Sequence, residues 1–218
     1  RHVAAQIRPH GFKHCEAVGF VLNQRIALAI AAQAVLPVLR LGLGRYDGFV
    51  GVVVHPGLVV ARREFADEDG LVHEYNEVLA GEAMEGGPVM LSWQDAGRGG
   101  RGAAQAYNVV IHEFAHVLDM ADGAADGVPV LPPDLTRSDW LRILHAEHTA
   151  LQARVHAGEP TVLDPYGATS EEEFFAVASE AFFVDPQAMQ AGHPALYGLL
   201  TRFFKQDPAQ DTPAPRRV

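Results

Sequence analysis

His112-Glu113-Phe114-Ala115-His116 is an H-E-x-x-H. Positions four apart lie one turn apart on one helical face. Both imidazoles can therefore reach a single zinc ion, with Zn–N bonds of about 2.0–2.1 Å. Glu113 sits about 100° further round the helix, so it does not ligate. It can instead take a proton from a zinc-bound water, whose pKa falls from about 16 to about 7 on the metal. The window Tyr107–Met120 is otherwise apolar (Val109, Val110, Ile111, Phe114, Val117, Leu118). Three ionisable groups in such a helix are costly to bury without partners, and a metal is the simplest partner they could share. His73-Glu74 begins the same pattern, but Glu77 stands where the second histidine belongs, so no site is read there.

Catalytic zinc takes three protein ligands and leaves a position for water. The extended pattern H-E-x-x-H-x-x-G-x-x-H/D would put the third ligand at Asp122, but it requires a glycine where Asp119 stands. Asp119 shares a face with His112 and His116. It reads either as a group orienting a ligand from behind or as a polar residue near a helix end. The other source is the segment Ser170–Val184 (SEEEFFAVASEAFFV), where Glu173 and Glu180 are seven apart and share a face with Val177. Glu173 is also the expected capping-box partner of Ser170. Glu180, set in apolar sequence, serves equally well as a ligand or as a partner behind one. Spacing leaves the choice open. His145-x-x-His148 could form a second metal pair but reads as an exposed helical face.

The elements that must position these residues follow from patterning. The stretch Ile26–Leu39 is too short for a bilayer span, which needs about 20 residues. It reads as a buried helix from about Gln24 to Leu39, stopped near Pro37, and not as a secretory leader. Residues 1–25 look weakly helical, and Arg1 is not an initiator, so the numbered chain is read as lacking its natural start. Strands are expected at Phe49–Val54, Leu58–Ala61, Val72–Leu79 and Val89–Trp93, with a loop over Gln94–Gly102. Helices are expected over Ala103–Ala121, Ser138–Ala157 with Ser138 as cap, Ser170–Val184 and Pro194–Lys205. The tail Asp207–Val218 reads as disordered. Strands first and helices after make an α+β domain over residues 1–206.

Composition narrows the chemistry further. The chain has 218 residues with 48% hydrophobic and 20% charged residues, an ordinary globular balance. Cys15 is the one cysteine. It excludes an internal disulfide and a cysteine-rich zinc module, and it fits a reducing compartment. With 17 basic and 27 acidic residues the net charge is −10, which argues against direct nucleic-acid binding. Any metal must be held by the 11 histidines and the carboxylates.

Several segments together resemble the zinc metallopeptidases typified by Mlc titration factor A. They are Ile30–Gly44, Tyr46–Gly57, Gly86–Trp93, Val110–Gly123 (VIHEFAHVLDMADG), Asp126–Pro132 and Tyr166–Phe183 (YGATSEEEFFAVASEAFF). They span most of residues 30–205, in order, whereas residues 1–25 match poorly. The resemblance implies a zincin-like fold with a small mixed sheet and a second helix supplying the third ligand. It implies one Zn2+ held by His112, His116 and Glu173, with Glu113 as base. It also singles out Tyr166 as a hydrogen-bond donor to the oxyanion, where the residues alone read as a turn carrying a packed aromatic. The implied activity is that of a cytoplasmic gluzincin, an aminopeptidase-like hydrolase acting on peptides or proteins. By analogy with other zincins the substrate adds as a strand to a sheet edge, for which Val89–Trp93 is the choice. The family's namesake binds and inactivates the Mlc repressor of sugar-uptake genes. A regulatory role would therefore run through a protein partner, and the alternative function is a non-catalytic repressor-binding protein with structural zinc.

Overall fold

The computed structural model describes residues 22–66, 71–97 and 107–211, and it is α+β. Helix α1 (Gln24–Ala34) starts where the Asn23 side chain accepts the N–H groups of Arg25 and Ile26. Its buried face is Ile26, Ala27, Ile30 and Ala34. It stops earlier than the expected Leu39, and residues 35–41 run on as turns. Pro37 disfavours helical backbone in the residue before it, and the Tyr46 hydroxyl donates to the Ala34 carbonyl at 2.8 Å.

Strand β1 (Val52–His55) lies parallel to β5 (Val89–Ser92), and the three-residue β4 (Gly81–Ala83) pairs antiparallel with β5 on its other side. The order is β1-β5-β4. This corrects the expectation that Val89–Trp93 is the free edge. β5 is the middle strand, the edges are β1 and β4, and Trp93 opens helix α2 (Trp93–Ala96), which runs into the expected loop. Strand β2 (Val59–Ala66) is twice the expected length and forms a separate antiparallel ribbon with β3 (Val72–Leu79), in register from Val59↔Leu79 to Ala66↔Val72. The ladder carries the backbone through Arg62, Arg63 and Glu64, whose polarity hides the strand in the sequence.

Helix α3 (Val109–Asp119) holds the H-E-x-x-H. The expected start at Ala103 lies outside the described residues, as do Cys15, residues 98–102 and the tail from 212. Helix α4 (Arg137–His156) is capped by Thr136 and not by Ser138, because the Thr136 hydroxyl accepts the Asp139 N–H. Helix α5 (Glu171–Val184) is capped by Ser170 as expected and is followed by α6 (Pro186–Gly192) and α7 (Pro194–Phe204). The expected disorder from Asp207 does not hold for its first residues: Pro208–Asp211 forms α8. The Tyr197 hydroxyl donates to Asp207 at 2.7 Å and accepts the Ala209 N–H at 2.9 Å.

The core lies among α3, α4, α5 and α7. Trp140, Phe175 and Phe203 meet edge to face with ring centroids 5.2–6.1 Å apart, each fully buried. Burying side chains of this size contributes about 1.5–3 kcal/mol apiece. Their packing fixes α5 against α4 and α7, while α5 also lies against α3, the juxtaposition the site depends on. Among the described residues no helix is long and apolar enough to cross a membrane.

Candidate metal centre

Asn108 starts α3 by accepting the N–H groups of Val110 and Ile111 at 3.1 Å each. His112 and His116 then project one turn apart, with Nε2 atoms 3.2 Å from each other. Glu173 reaches them from the first turn of α5. Its Oε2 lies 3.0 Å from His112 Nε2 and 3.4 Å from His116 Nε2. These three side chains are the group among the described residues able to hold a metal ion. The capping box at Ser170 is half formed. The Ser170 hydroxyl accepts the Glu173 N–H, but the Glu173 carboxylate is engaged by the two histidines and by the Tyr166 hydroxyl, 3.1 Å from Oε1.

Glu180 lies on the other side of the same imidazole. Its Oε1 is 2.6 Å from His112 Nδ1, and its Oε2 accepts the Asn108 N–H at 2.5 Å. The two glutamates that spacing could not separate thus take the two nitrogens of one ring. With Glu180 accepting from Nδ1–H, Nε2 is the His112 nitrogen that faces His116 and Glu173.

Glu113 is 5% exposed and faces β4, where its carboxylate accepts the Ala83 N–H. Gly81 permits this approach, since a Cβ there would press on the Glu113 carboxylate. Tyr166 sits on a 3-10 turn (Pro165–Ala168) that Asp164 caps by accepting the Tyr166 N–H at 2.9 Å. Its ring is half exposed, 6.1 Å from that of His112. His112, Glu113, His116, Tyr166, Glu173 and Glu180 all line one cavity of about 470 Å³, walled on one side by residues 78–83. Asp119 is fully buried and accepts the Gly127 N–H. Asp122 is exposed in a 3-10 turn. His145 and His148 do not act as a pair: His145 meets Glu171, while His148 is buried against the Ala168 carbonyl, which corrects the reading of both as exposed.

Burial pushes the Glu113 carboxyl up to about 8; Glu173 and Glu180 add to this, while His112 and the Ala83 N–H oppose it. Burial resists charge on His112, yet hydrogen bonds to Glu173 and Glu180 prevail and raise it to about 10. Burial likewise opposes charge on Glu173, but the two histidines hold it well below the usual carboxylate range. The pocket is thus a negative site that stabilises positive charge between the three donors.

A metal fits. Ligands bonded at about 2.0–2.1 Å with tetrahedral angles stand about 3.3 Å apart, and the donors here stand 3.0, 3.2 and 3.4 Å apart. The family model for the glucose-regulated metallo-peptidase M90 matches residues 9–205. The chain belongs to the M90 metallopeptidase family. Among M90 relatives, Mlc titration factor A of Pectobacterium atrosepticum is 38% identical over 192 residues, covering 86% of this chain and 69% of the relative. That of Edwardsiella ictaluri is 40% identical over 195 residues, covering 87% and 71%. That of Serratia proteamaculans is 38% identical over 194 residues, covering 87% and 72%.

The sequence left two parts of this M90 site unread. Glu180 was in view, but periodicity cannot say which nitrogen of a distant ring it meets. Strand β4, which approaches Glu113, is three residues long and carries no alternation to find.

Proposed function

We propose that this protein is a zinc-dependent peptidase of the gluzincin type, an aminopeptidase-like hydrolase acting in the cytoplasm. In this reading residues 1–206 act as one domain. The observation that carries it is the single cavity in which His112, His116 and Glu173 bring their donor atoms within 4.8 Å of one another, with Glu113 and Tyr166 on its walls. The three donors would hold one Zn2+. Bound there, zinc supplies Lewis acidity, acidifying water and polarising the scissile carbonyl.

The chain's own residues do the rest. Glu180 keeps His112 in the tautomer that leaves Nε2 free to ligate. Glu113 takes the proton of the attacking water and returns it to the leaving amine. Tyr166 donates its hydroxyl hydrogen bond to the oxyanion that develops on the carbonyl oxygen. The peptide backbone adds along the edge of β4.

The buried Glu113 supports catalysis over a purely structural metal, because a structural site needs no base and closes with a fourth protein ligand. The name carried by the relatives supports a second role, the binding of an Mlc-type transcriptional repressor through a protein surface. Removing the metal with a chelator should abolish peptide hydrolysis, and one equivalent of Zn2+ should restore it. Undiminished hydrolysis by metal-free protein would overturn the reading.

A further inference from the structure

Two helices of the site, α3 and α5, and the neighbouring α4 meet at a single residue outside it, Gly127. Its N–H donates to Asp119 Oδ2 at 2.9 Å, and its carbonyl accepts the Trp140 indole N–H at 2.9 Å. Its α-carbon lies so close to α5 that a Cβ would sit 2.6 Å from the Glu171 carbonyl oxygen and 3.2 Å from Leu144. The backbone there has φ +74°, which glycine adopts without strain. The flanking turn is held as well, since Asp126 accepts the Val128 N–H and pairs with Arg137 at 2.7 Å.

Asp119 is the last residue of α3, three beyond His116 and therefore on the same side of the helix. Glu171 is the first residue of α5, two before Glu173. The Asp119–Gly127 hydrogen bond thus joins the end of the helix carrying two metal donors to a turn packed closely on the start of the helix carrying the third. Asp119 is fully buried, and its other oxygen meets no donor among the described residues. A buried carboxylate kept for one backbone contact is expensive, and an apolar residue would fill the space at lower cost.

We propose that Asp119 is a positioning residue: through Gly127 it sets where Glu173 stands relative to His112 and His116, and so sets the affinity for the metal. The proposal rests on the metal-site reading above. The deciding measurement is zinc affinity, by competition with a chromophoric chelator, together with thermal melting of the metal-free proteins. Asp119→Ala should bind zinc 10–100-fold more weakly, the usual scale for losing an outer partner of a ligand. Gly127→Ala should weaken it similarly from the other side of the contact. Asp119→Asn, whose amide oxygen can still accept the Gly127 N–H, should restore most of the affinity. Leu199→Ala, in buried α7, is the stability control and should melt earlier with unchanged zinc affinity.

Wild-type affinity in Asp119→Ala, or no rescue by Asp119→Asn, would overturn this inference alone. So would an equal loss in Leu199→Ala. A wild-type protein that binds no zinc would overturn the metal-site reading and this inference together.

Discussion

Gly81→Ala asks whether the edge strand sets the position of the base. Gly81 lies in β4 with ordinary strand backbone, so an added methyl brings no dihedral penalty. What it meets is the site itself. A Cβ there presses on the Glu113 carboxylate and stands 2.7 Å from both Glu113 Cγ and Val109 Cγ2. Comfortable carbon contacts lie at about 3.5–4.0 Å, so the Glu113 side chain or the strand must retreat by about 1 Å. Overpacking of this kind costs about 1–3 kcal/mol, within the margin of about 5–15 kcal/mol that keeps a domain folded. Activity suffers more sharply. A displacement of about 1 Å at a catalytic group costs on the order of 100-fold, or about 2.7 kcal/mol of barrier. The assay is kcat/KM for peptide hydrolysis, measured beside zinc content and a thermal melt. Zinc content should be unchanged, because the added methyl meets none of the three metal donors, while kcat falls about 100-fold. Wild-type turnover in a folded Gly81→Ala protein would refute the claim that β4 positions Glu113.

Other substitutions separate the remaining roles. Glu173→Ala should lose stoichiometric zinc, whereas Glu180→Ala should keep it with affinity weakened about 10–100-fold; the reverse order, read by metal analysis after gel filtration, would exchange the two assignments. Tyr166→Phe should retain zinc and lower kcat by about 100–1000-fold with little change in KM, as for removal of an oxyanion donor. A change confined to KM would make Tyr166 a substrate contact only. Asn108→Ala strips the acceptor from two N–H groups at the buried start of α3 and should cost about 0.5–2 kcal/mol in denaturant unfolding. An unaltered midpoint would show that this cap does not hold the helix.

Much of the site is written in local sequence. Four-residue spacing suffices to set His112 beside His116, because an α-helix alone determines that geometry. The Glu173/Glu180 choice is different in kind. The two lie on one face of α5, seven residues or about 10.5 Å apart, and only the packing of α5 on α3 decides that the imidazole of His112 falls between them. The resemblance favoured Glu173, and the geometry brings Glu173 to the two Nε2 atoms and Glu180 to Nδ1. Strand order was illegible for the same reason. Val89–Ser92 reads as a strand by its apolar residues, but whether it is central or at an edge depends on β1 and β4 pairing across large sequence gaps. Polar strands such as Arg62–Glu64 are set by ladder hydrogen bonds that carry no side-chain signature. The contacts of Asp207 and Ala209 with Tyr197 are tertiary in the same sense, so a stretch that reads as a tail packs on α7.

In the proposed mechanism one metal and one buried carboxylate perform hydrolysis in this cavity. Its most direct test is metal content and peptide turnover for wild type and Glu113→Gln, a change that keeps shape and removes the base. Both proteins should hold one zinc per chain, and the variant should lose about 100–10,000-fold in kcat, the usual worth of a general base. Equal turnover in the two proteins, or a wild type that hydrolyses peptides without metal, would contradict that mechanism.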